Sequence, residues 1–174
     1  MSRVLVAGIG NIFLGDDGFG VEVVNRLDPA ALPATVDVVD YGIRGVHLAY
    51  ELLDGRHHTL IMVDAMPVDG PPGTLAVVEV DVDGPGDEGP MPVNGHGMHP
   101  QAVLDLLRGL GGEVRRVLVV GCAPAAIDEL MGLTAPVAAV VEDAVRLVTE
   151  LACQVAADLA VPGTGQADTE CADA

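Results

Sequence analysis

Three short runs of nearly unbroken aliphatic residues constrain the fold of this chain more than any other feature. They lie in "RVLVAGIG" (3–10), "TLIMVDAM" (59–66) and "RRVLVVGCAP" (115–124). A strand with one wet face would alternate apolar and polar residues, so these runs are typical of strands buried on both faces of a parallel or mixed sheet. Two Val-rich segments, 36–42 and 74–80, bring the number of predicted strands to five.

Helical patterns alternate with these strands. An apolar helical face follows the glycine-rich end of the first strand, and residues 45–53 form a second pattern after the second strand. A third pattern follows Pro100. The longest helix is predicted to start near Thr134, a good N-cap residue with Pro136 in the first turn. This alternation predicts an α/β fold, a three-layer sandwich with a mostly parallel five-stranded sheet flanked by helices.

Two segments lack these patterns. Residues 81–95 are rich in Gly, Pro and acids, and they predict a surface loop. Residues 162–174 have the composition of a disordered tail. A chain of 174 residues that is 50% hydrophobic can bury one sizeable core. We therefore predict a single domain over residues 1–161, followed by the tail.

Charge and composition limit the partners of the chain. The formal net charge is -18, and all basic residues are Arg. Nucleic acid and anionic membranes are disfavoured because they bind clustered cations, whereas metal ions and basic protein segments are favoured. No apolar run reaches the length of a membrane span and the first residues already form a strand, which predicts a cytoplasmic protein without a signal peptide. The three cysteines are expected to be reduced thiols.

The first strand leads into a glycine-rich loop, "GIGNIFLGDDGFG" (8–20). A strand, glycine loop and helix in this order are typical of dinucleotide-binding domains, in which Asp40 would bind a ribose. Here Phe13 replaces the third glycine of that pattern, and Asp16 and Asp17 would repel a phosphate. A P-loop is excluded because the chain has no Lys. A nucleotide-binding module is thus a disfavoured alternative.

The two aspartates of this loop have different interpretations. Acids near a helix N-terminus stabilise the helix, and this role accounts for Asp16. Asp17 either has the same role or is a functional group. Asp64 ends the third strand, and the carboxyl ends of parallel strands meet at one end of the sheet, so Asp17 and Asp64 are expected to lie together there. The alternative for Asp64 is a turn or cap residue before Pro67.

Two histidines, His96 and His99, lie in "NGHGMHP" (94–100) just before a predicted helix. A loop histidine is usually solvated, but two carboxylates and an imidazole together suit a divalent metal such as Ni or Zn. The wide spacing of these residues matches no local metal motif. His57 and His58 precede the core of the third strand at its amino end, and we predict that they are surface residues.

Four blocks of sequence together resemble the nickel–iron hydrogenase maturation endopeptidases. They are "VLVAGIGNIFLGDDGFGVEVV", "LIMVDAM" with "PPGTL", "HGM", and "VVGCAP…MGLTAPV", in this order over about residues 3–150. The first block, G-x-G-N-x-x-x-x-D-[DE]-x-x-G, is the most specific. The resemblance implies a twisted five-stranded sheet between helices.

The resemblance also implies a function. It implies a cytoplasmic enzyme that removes a short C-terminal extension from the precursor of a hydrogenase large subunit once nickel has entered that subunit. By motif position the three metal contacts are Asp17, Asp64 and His96. His96 is preferred to His99 because "His96-Gly-Met98" matches the family pattern. The metal implied is the nickel carried by the substrate, although another divalent metal could occupy the site.

The resemblance assigns one more acid and leaves the chemistry open. Asp40 matches the family's Asp-x-Gly-Thr motif, with Ile43 in place of Thr, and is a candidate for substrate binding or a strand-end cap. The candidate catalytic residues are Asp17 and Asp64. Either the metal polarises the scissile carbonyl or water, or a carboxylate acts as the general base. A non-catalytic, nickel-dependent chaperone or binding protein for the same precursor is the alternative function.

Overall fold

A five-stranded sheet forms the centre of the computed structural model, which describes residues 2–84 and 100–161. Its strands are β1 (Arg3–Ile9), β2 (Val36–Gly42), β3 (His57–Ala65), β4 (Leu75–Val80) and β5 (Arg116–Cys122). The order across the sheet is β2-β1-β3-β5-β4. All neighbours are parallel except β4, which is antiparallel to β5. The mostly parallel sheet predicted from the aliphatic runs is confirmed.

Helices cover both faces of the sheet. They are α1 (Phe19–Asn25), α2 (Gly45–Leu52), α3 (Pro100–Gly109), α4 (Ala135–Ala138) and α5 (Val141–Ala160). Buried side chains of α1, α4 and α5 form one core with one face of the sheet. Those of α2 and α3 form a second core with the other face. The predicted three-layer sandwich is therefore confirmed.

Strand β1 shows why the aliphatic runs are continuous. Successive side chains of a strand point to opposite faces of the sheet. Val4 and Val6 pack in the core that contains α1 and α5, whereas Leu5 and Ala7 pack in the core that contains α2 and α3. Because both faces are covered, no position in the middle of this strand is available for a polar residue.

The long C-terminal helix differs from its prediction. Thr134 does occupy an N-cap position, but of the short helix α4. The chain leaves helical geometry at Val140, and α5 begins one residue later. The hydroxyl of Thr134 makes no capping hydrogen bond and instead contacts Asp16. A tertiary contact therefore replaces the capping role suggested by the sequence.

The amino end of the sheet corrects a second prediction. His57 is only 2% exposed, so it is not a surface residue. Its Nε2 lies 2.8 Å from Oδ2 of Asp37, and Arg3 donates two hydrogen bonds to the same carboxylate at 2.6 and 2.7 Å. His58, also predicted at the surface, is half-buried. These contacts join the starts of three neighbouring strands, which local sequence does not reveal.

Some predictions concern residues outside the described ranges. Most of the predicted loop 81–95 and the whole predicted tail 162–174 are among them, and the single domain over residues 1–161 stays a prediction. Cys122 and Cys153 are free thiols, as expected, and Cys171 lies outside the described residues. Among the described helices, none is long and apolar enough to cross a membrane.

Candidate active site

The glycine-rich loop after β1 folds closely against its own 3-10 turn (Gly15–Gly18) and against β3. Gly10 has a φ of +138°, and a Cβ there would lie 1.8 Å from the carbonyl oxygen of Asp17. A Cβ on Gly20 would lie 1.9 Å from the carbonyl oxygen of Val63. These two glycines therefore let α1 approach the end of β3 directly, and they bring Asp17 to the carboxyl end of the sheet.

Asp17 is almost entirely buried, with 8% of its surface exposed. Its Oδ2 accepts a hydrogen bond of 2.9 Å from the backbone amide of Asn11. Leu14 and Gly18 occupy the N-cap positions of the 3-10 turn and of α1, so Asp17 is not an N-cap residue. A backbone amide of the same loop thus holds this carboxylate. The local sequence had also allowed a capping role for Asp17 at the helix terminus.

Asp64 lies next to the last residue of β3 and pairs with Gly121 of β5. Burial raises the pKa of its carboxyl well above the usual range, and the nearby charge of Asp17 raises it further. A hydrogen bond from the amide of Ala65 only partly offsets these effects. The charges of Asp17 and Asp64 therefore repel each other, and a proton or a cation between them would relieve that repulsion.

Asp40 lies near the carboxyl end of β2, opposite Gly8 of β1. Its Oδ2 accepts a hydrogen bond of 3.3 Å from the side chain of Asn25, and its carbonyl oxygen accepts one of 2.8 Å from Arg44. The carboxylate is half-buried. Asp40 is thus at the same end of the sheet as Asp17, on the strand beside β1.

The candidate histidines His96 and His99 lie outside the described residues. Within residues 2–84 and 100–161, no three His, Cys, Asp or Glu side chains form a group that could hold a metal ion. The described part of the site therefore consists of the two carboxylates, Asp17 and Asp64.

Asp16 has a role that the sequence did not reveal. It is completely buried, and its carboxylate accepts hydrogen bonds from the amides of Ala125, Ala126 and Thr134 at 2.7–3.0 Å. Burial alone would raise the pKa of Asp16, but these bonds and the Thr134 hydroxyl outweigh burial and lower it. The prediction that Asp16 stabilises its own helix end is wrong, because its carboxylate joins the loop after β1 to the loop after β5.

Among the described residues, a buried thiol lies at the end of β5, beside these loops. Cys122 is fully buried, and burial together with the charge of Asp16 raises the pKa of its thiol to about 11. A thiol with such a pKa stays protonated near neutral pH and is a poor nucleophile. The sequence contains one serine, Ser2, which starts the described chain before β1. The carboxylates are therefore the groups suited to chemistry at this end of the sheet.

Fold and site together define a three-layer α/β protein with two interacting carboxylates at the carboxyl end of its sheet. The family model for hydrogenase maturation proteases matches residues 21–151. A relative from Rhizobium leguminosarum bv. viciae, the hydrogenase expression/formation protein HupD, is 36% identical over 83% of this chain and 71% of its own length. The hydrogenase 2 maturation protease of Escherichia coli is 31% identical over 84% of this chain and 88% of its own.

A solved structure agrees with these relatives. The hydrogenase 2 maturation peptidase of a Thaumarchaeota archaeon is 32% identical, with a TM-score of 0.64 over 86% of this chain and 97% of that one. The chain therefore belongs to the hydrogenase maturation protease family. It is an endopeptidase of hydrogenase maturation, as the sequence blocks predicted.

Proposed function

We propose that this endopeptidase removes a C-terminal extension from the nickel-loaded precursor of a nickel–iron hydrogenase large subunit, in the cytoplasm. The observation that carries this proposal is the pair formed by Asp17 and Asp64. A buried and a half-buried carboxylate whose charges repel each other are a suitable site for a dication. The substrate's own nickel is such a dication, and the family supplies the reaction.

Nickel recognition follows from the charges. Asp64 has a raised pKa because it is buried beside Asp17. A dication near both acids would stabilise both carboxylates, so a precursor that carries nickel would bind more tightly than an empty one. Imidazole is also a good nickel ligand, and His96 is our proposed third contact.

Helix α3 begins four residues after His96. Near its other end, Arg108 donates a hydrogen bond to the carbonyl of Gly84, which follows β4, and the last residue of β4 pairs with Val117 near the amino end of β5. Helix α3 therefore starts on the side of the carboxyl end of the parallel strands.

The same two acids serve hydrolysis. Nickel held by Asp17 and Asp64 would polarise the scissile carbonyl or a water. A carboxylate of the pair would accept the proton of the attacking water as a general base. We propose Asp17 and Asp64 as catalytic residues in either case. Asp40, at the same end of the sheet on β2, is our candidate for binding the substrate.

The test is mass spectrometry of a purified precursor incubated with this protein, with and without nickel. We expect release of the C-terminal peptide only from the nickel-loaded precursor. Asp17→Asn, Asp64→Asn and His96→Ala should each abolish release. Asp69→Asn is a matched control, because Asp69 is an exposed acid shortly after β3. His99→Ala should retain activity, since His99 is the neighbouring histidine outside the proposed trio.

The outcomes separate the alternatives. Full activity of Asp17→Asn and Asp64→Asn would eliminate the carboxylate site. Nickel-dependent binding of the precursor without release of a peptide would instead support a chaperone or binding protein. Loss of activity in His99→Ala, with His96→Ala active, would assign the third metal contact to His99 instead of His96.

A further inference from the structure

Hydrogen bonds join the loops after β1 and β5. Besides the bonds to the Asp16 carboxylate, the amide of Gly15 donates to the carbonyl of Leu130 at 2.6 Å, and the amide of Asp16 donates to the carbonyl of Ala126 at 3.1 Å. A Cβ on Gly15 would touch the carbonyl oxygen of Ala126 at 3.0 Å. The two loops are thus held together through backbone groups and a buried carboxylate.

The two joined loops expose large apolar side chains. Leu130 and Met131 are each 66% exposed, and Phe13 is 59% exposed. We call the exposed side chains of the two loops the apolar platform; its members are Ile12, Phe13, Ile127, Leu130 and Met131. Single exposed apolar residues are ordinary, but several on two joined loops indicate an interaction site.

A groove lies beneath part of this platform. Its volume is about 350 Å³, and it is lined by Ile12, Gly15, Gly18, Met131, Leu133 and Val141, with Glu22 and Arg26 on its wall. Ile12 and Met131 come from the two different loops, so the groove shows that the loops present their apolar residues side by side. Apolar anchors of a partner would fit such a concave surface.

From these features we infer that the apolar platform docks the folded body of the hydrogenase large-subunit precursor, at a surface that adjoins the proposed nickel contact but does not include it. The inference rests on the proposed function. The platform is continuous with the proposed active site, because Ile12 follows Asn11, whose amide holds Asp17. A protein bound to the platform would therefore lie beside the carboxylate pair.

Backbone hydrogen bonding favours a folded surface over an extended peptide. An extended peptide gains affinity by adding a strand to exposed backbone groups. In the two loops that carry the platform, the amides of Gly15, Asp16, Ala125 and Ala126 already donate to acceptors in those loops. The platform therefore offers side chains for recognition, as the apolar centre of an interface between folded proteins does.

The acidic residues around the platform indicate the charge that a partner should carry at the rim of its interface. Asp128 and Glu129 are exposed beside Leu130, and residues 117–145 contain no Lys or Arg. A partner face that is apolar at its centre and basic at its rim is complementary to this surface. We therefore expect docking to weaken as salt concentration rises.

The decisive experiment measures KM and kcat for cleavage of the nickel-loaded precursor. We expect the double variant L130S/M131S to raise KM about tenfold with kcat unchanged, which corresponds to a loss of about 1.4 kcal/mol from the two interface anchors together. The matched control is Leu110→Ser, an exposed leucine after α3 and away from both loops. The conservative single variant Leu130→Met, which keeps an apolar side chain at this position, should retain the KM of the wild type. An unchanged KM in L130S/M131S would overturn the proposal.

A binding assay separates this inference from the proposed function. The probe is the large subunit without its C-terminal extension, which offers the folded body and no cleavable peptide. Even if the protein released no peptide from any precursor, tighter binding of this probe to the wild type than to L130S/M131S would support the platform. Equal binding to both, or binding to neither, would overturn it.

The same variant would also reveal two other possible occupants of the platform. If sedimentation showed a wild-type dimer that L130S/M131S dissolves, with KM unchanged, the platform would be an interface between two copies. If the double variant changed only the thermal unfolding midpoint, a segment of this chain would cover the platform. Either result would overturn docking of the precursor.

Discussion

Acidic residues at the two ends of the sheet have pKa values shifted in opposite directions. At the amino end, Asp37 contacts Arg3 and His57, and the hydrogen bonds from Arg3 are the main reason that its pKa falls to about 2. At the carboxyl end, burial and the charge of Asp17 raise the pKa of Asp64 well above its usual range. One acid is stabilised in its charged form by the fold, whereas the other is kept in a costly environment.

This difference separates stability from function. A satisfied ion pair holds strands together, and its removal should affect unfolding rather than activity. A carboxylate kept in an unfavourable environment gains most when a cation arrives, so its removal should affect activity rather than unfolding. The amino end is therefore expected to be structural, and the carboxyl end to be functional.

The largest expected effect concerns Asp64. We expect Asp64→Asn to lower the rate of precursor processing by about 100-fold or more, the range typical of a lost catalytic acid or base. Its thermal unfolding midpoint at pH 7 should equal or exceed that of the wild type. The pKa of Asp64 is raised by folding, so ionising it costs stability as pH rises, and the amide removes that cost. A lower unfolding midpoint together with full activity would show that Asp64 has a structural role, contrary to the comparison of the two ends.

The second effect concerns Asp16, at the functional end but with a structural role. Asp16→Ala removes the acceptor of three partly buried amide hydrogen bonds. We expect the free energy of unfolding to fall by roughly 3 kcal/mol, because each lost hydrogen bond to the charged carboxylate costs about 1 kcal/mol or more. Urea unfolding measures this, and hydrogen exchange should show faster exchange of those amides. Unchanged exchange would show that the carboxylate does not hold the loop after β5.

The third effect concerns the close approach of α1 to β3. Gly20→Ala would place a Cβ 1.9 Å from the carbonyl oxygen of Val63, and we expect a loss of roughly 2 kcal/mol in unfolding free energy. Gly109→Ala is the matched control, because no atom lies within 4 Å of its added Cβ and the residue is also helical. That control should be neutral or slightly stabilising. Equal unfolding of the two variants would contradict the tight contact.

The smallest effect is at the amino end. Asp37→Asn should lower the free energy of unfolding by about 1 kcal/mol, since the partly exposed pair is screened by solvent. The pKa of Asp37 in the folded protein lies below its ordinary value of 3.8, at about 2. Its contribution is therefore present above about pH 4 and is lost as pH falls toward 2. The difference between wild type and Asp37→Asn should shrink over that window, while processing at pH 7 stays unchanged.

Most of the sheet and its helices were predictable from the sequence. A strand covered on both faces has apolar side chains in both directions, so β1, β3 and β5 are visible as aliphatic runs. The glycine loop and Asp64 were predictable as partners because parallel strands bring their carboxyl ends together. These are short-range or topological consequences of the residue pattern.

The sequence by itself determined the α/β architecture, the family and the two acids at the carboxyl end of the sheet. Only the tertiary structure decided what each acid contacts. Asp16 and Asp17 are neighbours in the chain, yet one binds the loop after β5 and the other lies beside Asp64. His57 is buried because Asp37 accepts its hydrogen bond across the sheet. Such partners are distant in sequence, so local sequence patterns do not indicate them.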